Sequence, residues 1–239
     1  MDAALAVTLR TEVALACRIL AQAGHGDLTL GHISARAHGA RTYWVKRAAR
    51  GLDEIRPSDV VLVNFAGKRL RGTGAMHGEL VIHGAIYQAR PDVSCVIHTH
   101  PFYATAFSAL DAPLELLLQD SVILAGSVAR FSATPELLIP PEQGASLARA
   151  LGDARAVLLR HHGVVVVGPT VPEAVLTALA LERAAKAQLL LAPLGAPKGI
   201  EPAQARAMAH GFESSASRTQ GLWEYLVRSL PSIPGGKKG

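Results

Sequence analysis

The stretch AVLLRHHGVVVVGPT, residues 156–170, does most to limit the folds open to this chain. Its apolar and β-branched residues predict two buried strands, or one bent strand, interrupted at His162 and Gly163. Another strand is predicted in VSCVIHTH, residues 93–100. Two or three antiparallel strands are predicted in HISARA, TYWVKR and VVLVNF, residues 32–37, 42–47 and 60–65.

Segments with apolar residues at helical spacing lie between these strands. The first, residues 3–23, repeats side chains such as Leu9 and Val13 on one helical face and stops before Gly24. Further helices are predicted over residues 76–89, 101–110, 141–152 and 170–192. Because the 239 residues contain no long linker, we expect one domain over residues 1–230 and a flexible tail at 231–239.

Charge distribution, cysteine content and the lengths of the apolar runs disfavour a nucleic-acid-binding, secreted or membrane protein. The net charge is +5, but the Lys and Arg residues are scattered along the chain, so no nucleic-acid partner is expected. Cys17 and Cys95 lie in apolar segments and are expected to be reduced thiols. The N-terminal segment does not have the pattern of a signal peptide, and no apolar run reaches the roughly 18 residues that span a bilayer. We therefore expect a cytoplasmic protein without a membrane partner.

Two histidines close the strand predicted at residues 93–100. Alternate residues of a strand point to the same side, so the imidazoles of His98 and His100 share a face, roughly 6 to 7 Å apart at the backbone. The sequence LLRHHG offers a third imidazole beside a glycine that permits close approach of the backbone. Three nitrogen ligands with an open position are typical of a catalytic divalent metal. Zn²⁺ is the favoured ion, and Mn²⁺, Fe²⁺ and Co²⁺ are alternatives.

Three segments together carry a resemblance: GHISAR (31–36), HGELVIHGAIYQARPDVSCVIHTHP (77–101) and LLRHHGVVVVG (158–168). Their order and spacing resemble those of the class II aldolase/adducin family, which includes fuculose-phosphate aldolase and related metal-dependent lyases and decarboxylases. The resemblance implies an α/β protein, an α/β/α sandwich with a largely antiparallel central sheet. It also implies a homotetramer with its metal site near a subunit interface.

The resemblance further implies roles for individual residues. The family's metal ligands fall on His98, His100 and His162. His161 is expected to point away from the metal. The family's acid/base carboxylate falls on Glu79, which we expect within a helix whose apolar surroundings raise its pKa. Tyr225 is a candidate for the tyrosine that a neighbouring subunit contributes to catalysis in the aldolases.

The chain departs from the sugar-phosphate members of this family at the positions that hold phosphate. Their Asn, Thr-Gly and Ser-Ser residues are replaced by His32, by Ala48 and Ala49, and by His77 and Gly78. Most of the hydroxyl and amide donors for a phosphate are therefore gone. A phosphorylated ketose is disfavoured as the substrate.

Other polar side chains are present near these positions. The candidate substrate-binding residues are His32, Lys46, Arg47 and His77. Such cationic and proton-carrying groups suit a carboxylate or an acidic phenol. The pattern GHxS together with ExxIHGxIY is similar to branches of the family that decarboxylate hydroxy- or oxo-carboxylates.

The predicted function is that of a divalent-metal-dependent carbon–carbon lyase, an aldolase or decarboxylase acting through a metal-stabilised enediolate. The expected small-molecule substrate is a non-phosphorylated hydroxy- or oxo-carboxylate or a hydroxycarbonyl compound. Two alternatives stay open: an iron-dependent oxygenase on the same fold, and a non-catalytic scaffold of the adducin type. The three histidines and Glu79 disfavour the scaffold, because a scaffold does not need a metal site.

Overall fold

A computed structural model describes residues 3–37, 39, 41–195, 197–213 and 216–232. At its centre is an eight-stranded sheet. The strands are β1 His32–Ala37, β2 Thr42–Lys46, β3 Val60–Asn64, β4 Arg69–Arg71, β5 Cys95–Thr99, β6 Val128–Phe131, β7 Ala156–Leu159 and β8 Gly163–Gly168. They lie in the order β4-β3-β2-β1-β5-β8-β7-β6. Neighbouring strands are antiparallel apart from the parallel pair β6 and β7, so the predicted largely antiparallel sheet is confirmed.

The α-helices of the described residues are α1 Ala3–Leu20, α2 Leu80–Ala89, α3 Phe102–Ser108, α4 Pro141–Leu151, α5 Val171–Leu191, α6 Pro202–Glu213 and α7 Ala216–Arg228. Helices α1, α3 and α5 pack on one face of the sheet, and α2 and α4 pack on the other. Side chains of β8 alternate between the two layers, with Val164 and Val166 in one core and Val165 and Val167 in the other. The predicted α/β/α sandwich is therefore confirmed. None of the described helices is long and apolar enough to cross a membrane.

The stretch 156–170 forms two strands and not one bent strand. A tight turn at residues 160–162 joins β7 to β8, and His161 adopts a left-handed conformation there with a φ of 61°. The His162 N–H donates to the Leu159 carbonyl at 3.0 Å, and Leu159 then pairs with Gly163. Because β8 also pairs with β5, this turn brings His162 next to the end of β5.

The helix predicted over residues 76–89 begins later, at Leu80. The Ala75 carbonyl accepts the Ala48 N–H at 2.9 Å, so the segment before Leu80 is tied to the loop that follows β2. Glu79 is the N-cap residue of α2, without a capping hydrogen bond from its side chain, and does not lie inside the helix, which corrects the sequence-based expectation. The helices α6 and α7 were not predicted from the sequence. Of the predicted flexible tail 231–239, residues 233–239 lie outside the described residues, and the single domain over 1–230 stays a prediction.

Candidate metal centre

Three histidines and one carboxylate meet at one end of the central strands. His98 lies in β5 and His100 follows that strand, His162 precedes β8, and Glu79 precedes α2. The ligating atoms of the three histidines lie within 4.8 Å of one another. The structure thus brings the three predicted metal ligands together, next to the predicted acid/base residue.

Hydrogen bonds from Nδ1 orient two of the rings. His98 Nδ1 lies 3.0 Å from the Val164 carbonyl oxygen, and His100 Nδ1 lies 3.0 Å from Oδ2 of Asp27. A carbonyl or an ionised carboxylate only accepts, so each Nδ1 donates and each neutral ring has its lone pair on Nε2. The two Nε2 atoms are 3.3 Å apart, so their lone pairs repel unless a cation binds next to both. Burial lowers the pKa of His100. A proton is therefore a poor candidate for the cation between the two Nε2 atoms.

His162 supplies the third imidazole. Within the described residues, neither of its buried ring nitrogens has a hydrogen-bond partner. Burial lowers the pKa of His162 to about 4, and the neighbouring His98 ring adds to the effect, so His162 is neutral at pH 7. An unpartnered buried polar group costs about 1–3 kcal/mol. A divalent ion would satisfy one ring nitrogen of His162 and the Nε2 atoms of the other two rings, so this donor set fits such an ion.

Glu79 faces the same cluster. Its Oε2 lies 3.6 Å from Nε2 of His98, and its Oε1 lies 3.6 Å from Nε2 of His162. Oε1 also accepts the Leu138 N–H at 2.9 Å. The expectation of a raised pKa is wrong: burial does raise it, but the His98 and His162 rings in their protonated forms, together with the Leu138 N–H, outweigh burial and lower the pKa of Glu79 to about 2. Glu79 is therefore an ionised carboxylate at neutral pH.

Gly163 gives His100 the space that it occupies. A Cβ on Gly163 would lie 2.5 Å from Cδ2 of His100 and 2.7 Å from the Thr99 carbonyl oxygen. Gly163→Ala is therefore expected to displace His100 and to lower the free energy of unfolding by about 1–3 kcal/mol. We also expect metal affinity to fall by about 10–100-fold, the usual cost of a misoriented ligand. Urea unfolding and metal titration measure the two effects.

Gly221→Ala in α7 is the matched control. Among the described residues, no heavy atom beyond the immediate chain lies within 4 Å of the Cβ that this change would add. Alanine is favoured over glycine by about 1 kcal/mol in a helix, so this variant is expected to be as stable as the wild type or more so. Wild-type metal affinity in Gly163→Ala would contradict the close approach of the β8 backbone to His100.

His32 and His77 border the histidine cluster. His32 pairs with His98 across β1 and β5. The His32 ring centroid lies 4.9 Å from that of His98 and 4.6 Å from that of His77. A second group of possible ligand atoms, one from each residue, lies within 4.8 Å of one another and consists of His32, Glu79 and His98. Both predicted substrate-binding histidines are therefore close to the site.

The two predicted cationic residues are held by protein partners. The buried Lys46 Nζ donates to two main-chain carbonyls in residues 29–31, at 3.0 and 3.1 Å, and lies 3.4 Å from Nε2 of His77. Burial lowers the pKa of Lys46 to about 8. Arg47 Nε is paired with Oδ1 of Asp59 at 2.9 Å. Lys46 therefore supports the edge of the site through His77, whereas Arg47 points to Asp59.

Tyr225 occupies a different part of the chain. Its side chain is 61% exposed on α7 and lines a surface groove with Ile123 and Leu222. None of the residues that line this groove belongs to the histidine cluster. A contact between Tyr225 and the site of a neighbouring subunit stays a prediction.

Asp27 is a site residue that sequence reasoning missed. It lies in AGHGDL, a segment whose glycines indicate only a turn, and yet its carboxylate fixes the ring of His100. His25 in the same turn bonds through Nδ1 to Oγ1 of Thr99 at 3.0 Å. The available signal is chemical: a metal-ligating histidine usually donates its second N–H to a carboxylate or carbonyl, and Asp27 is such a carboxylate.

Known proteins resemble this chain in sequence and in fold. The family model described as Class II Aldolase and Adducin N-terminal domain matches residues 11–189. The Meiotically up-regulated gene 14 protein of Schizosaccharomyces pombe is 31% identical over 208 residues, which cover 84% of this chain and 81% of that protein. The 3,4-dihydroxyphthalate decarboxylase of Arthrobacter keyseri is 31% identical over 200 residues, which cover 78% and 79%. The structure of L-fuculose 1-phosphate aldolase from Glaciozyma antarctica matches with a TM-score of 0.83 and 27% identity, covering 95% of this chain and 93% of that one.

Proposed function

The chain belongs to the class II aldolase and adducin family, and from that premise we propose that it is a divalent-metal-dependent carbon–carbon lyase. The main support is the convergence of three imidazoles beside the carboxylate of Glu79. Buried nitrogens without partners destabilise a fold, so a bound ion would give this arrangement a physical reason. The arrangement therefore favours an enzyme over a scaffold.

His98, His100 and His162 are the proposed metal ligands. Three imidazoles with an open position suit Zn²⁺ best, with Mn²⁺, Fe²⁺ and Co²⁺ as alternatives. Once bound, the ion supplies Lewis-acid polarisation of a substrate oxygen and stabilises negative charge that develops there. Asp27 contributes by holding His100 in the orientation that directs Nε2 to the site.

Glu79 is the proposed acid/base residue. As an ionised carboxylate it can accept a proton from a substrate hydroxyl while the neighbouring carbon–carbon bond breaks and its electron pair passes to the departing carbon. Glu79 then returns that proton to the carbon. In a decarboxylation, the substrate carboxylate leaves as CO₂, the electron pair of the broken bond passes to the remaining carbon, and that carbon takes a proton from water, which Glu79 would relay.

A small hydroxy- or oxo-carboxylate is the proposed substrate. His32 and His77 lie next to the cluster at positions where sugar-phosphate members of the family carry phosphate-binding residues. The relative named 3,4-dihydroxyphthalate decarboxylase supports a carboxylate substrate. Lys46 would contribute to substrate binding by holding His77 in place. Arg47 would leave its ion pair with Asp59 to bind a substrate anion.

The proposal is tested with untagged protein that is stripped of metal and reloaded with Zn²⁺, Mn²⁺, Fe²⁺ or Co²⁺. Each form is incubated with panels of hydroxycarboxylates, oxocarboxylates and ketose phosphates, and CO₂, aldehyde and oxygen are measured. We expect CO₂ or aldehyde release from a carboxylate without oxygen consumption. Oxygen consumption by the Fe²⁺ form alone would instead identify an oxygenase. A protein that binds none of the four ions and turns over no substrate would be a scaffold.

We further propose that the enzyme is a homotetramer in which Tyr225 of one subunit assists the site of a neighbour. The exposure of this phenol on α7 suits a contact between subunits. Tyr225→Phe is expected to lower kcat by about 100-fold, as the loss of a proton-transfer group does, without changing the molar mass. Steady-state kinetics and light scattering measure both quantities. An active monomer, or wild-type kcat in the variant, would contradict this role.

A further inference from the structure

A chain of four buried side chains runs away from the metal centre behind His32. His32 Nδ1 lies 2.6 Å from Nε2 of His83, His83 Nδ1 lies 2.6 Å from Oγ of Ser34, and Ser34 Oγ lies 2.7 Å from the Tyr87 hydroxyl. We propose that this chain holds His32 as the tautomer with its proton on Nε2, so that His32 donates a hydrogen bond into the site. His83, Ser34 and Tyr87 are then positioning residues for His32.

Two sequence patterns interlock to form the chain. In GHxS, His32 and Ser34 are two residues apart on β1 and point to the same side of the sheet. In IHGxIY, His83 and Tyr87 are four residues apart on α2 and lie on the same helix face. The four side chains are at most 2% exposed, so water does not compete for their hydrogen bonds. Neither pattern is explained by metal binding alone.

The polarity of the chain is set at its inner end. The Ser94 carbonyl already accepts the Arg36 N–H at 2.8 Å, and the Tyr87 hydroxyl lies 3.4 Å from the same oxygen. The Ser34 hydroxyl is a closer partner for Tyr87, at 2.7 Å. The Ser94 oxygen has a second lone pair for Tyr87, but a bond of 3.4 Å is long and weak, so we infer that Tyr87 directs its proton to Ser34 at 2.7 Å.

Each following link is then determined. Ser34 has one hydroxyl proton and, as it accepts from Tyr87, it donates to Nδ1 of His83. A neutral His83 consequently carries its proton on Nε2 and donates to Nδ1 of His32. His32 in turn carries its proton on Nε2, the nitrogen at the other end of its ring. Burial raises the pKa of Tyr87 far above its usual value, which keeps the phenol protonated at the start of the chain.

This polarity decides between two roles for His32. Its position close to Glu79 and His98 would allow it to bind a metal, but a nitrogen that carries a proton has no lone pair for an ion. As a neutral donor, His32 can instead bond to a substrate carboxylate or to an oxygen that becomes negative during the reaction. This second step rests on the proposed lyase function, whereas the tautomer itself does not.

The tautomer is measured by ¹⁵N NMR of histidine-labelled, metal-free protein, with His32→Gln used to assign the His32 signals. We expect a pyrrole-type Nε2 and a pyridine-type Nδ1 for both His32 and His83. A proton on Nδ1 of His32, or a doubly protonated ring, would overturn the proposal. This measurement needs neither metal nor substrate, so its outcome is independent of whether the lyase function is correct.

Tyr87→Phe removes the group that sets the polarity. The remaining Ser34 hydroxyl can point either way at similar cost, so His32 should become a mixture of tautomers. With substrate available, kcat should fall about twofold, in proportion to the fraction of His32 that no longer carries the Nε2 proton, while KM and metal content stay unchanged. An unchanged His32 tautomer in this variant would contradict the assigned direction.

Tyr43→Phe is the matched control. Tyr43 is as buried as Tyr87 and its ring stacks on His83 at 5.7 Å, but its hydroxyl donates to the Leu80 carbonyl outside the chain. This variant should therefore lose comparable stability and keep the His32 tautomer. Ser34→Ala should behave like Tyr87→Phe, and Ser34→Thr, which keeps a hydroxyl, should restore the wild-type tautomer. A mixed tautomer in Tyr43→Phe would show that packing, and not the hydrogen-bond chain, controls His32.

Discussion

Glu79→Gln is expected to lower kcat by about 10²–10⁴-fold while the protein keeps its bound metal. The amide has the shape of the carboxylate and can still accept the Leu138 N–H through Oε1, so the loop and the start of α2 should be unchanged. It cannot accept a proton from the substrate, which is the role that we assign to Glu79. The kinetics are measured alongside the metal content of the same sample.

Glu182→Gln is the control for this change. The Glu182 carboxylate also accepts main-chain hydrogen bonds, from Tyr103 and Ala104 at the start of α3, and is likewise partly buried. It therefore reports the effect of replacing a structural carboxylate outside the histidine cluster. We expect wild-type kcat in Glu182→Gln. A fully active Glu79→Gln would remove Glu79 from the mechanism.

His162→Ala is expected to abolish metal binding and to reduce activity to the limit of detection. Its effect on the metal-free protein should be different, because neither ring nitrogen of His162 has a hydrogen-bond partner among the described residues. Removing these atoms relieves a penalty of about 1–3 kcal/mol, which offsets the lost packing of the ring. The metal-free variant should therefore be about as stable as the metal-free wild type in thermal unfolding.

His161→Asn tests the neighbouring histidine. His161 is exposed, and its backbone is left-handed, a conformation that asparagine tolerates well. We expect wild-type metal content and activity, because the His161 ring is not part of the cluster. If His161→Asn loses the metal and His162→Ala keeps it, the two adjacent histidines have been assigned the wrong way round.

Sequence patterns predicted the strands, the helices and the shared face of His98 and His100, whereas the layered α/β/α arrangement and the choice of His162 were implied by the family resemblance. The apolar strands and their period of two put His98 and His100 on one side of β5, and the valines of β8 already indicated burial on both faces. These features depend on local periodicity, which is written directly in the sequence. The hairpin before β8 then brought His162 to the same end of the sheet.

Features that depend on distant contacts could not be predicted in this way. The segment before α2 is held by a main-chain bond between Ala75 and Ala48, and the low pKa of Glu79 depends on the two facing imidazoles and on Leu138. Asp27 reaches His100 across 73 positions of sequence. No local pattern encodes these pairings, since each becomes visible only when the strands are assembled.

Elemental analysis of untagged protein purified without chelator tests the metal centre directly. We predict about one divalent ion per chain, with zinc as the favoured element, and its loss in His98→Ala. Protein that holds no divalent ion, and that takes up none during dialysis against zinc or manganese, would contradict a metal centre at His98, His100 and His162.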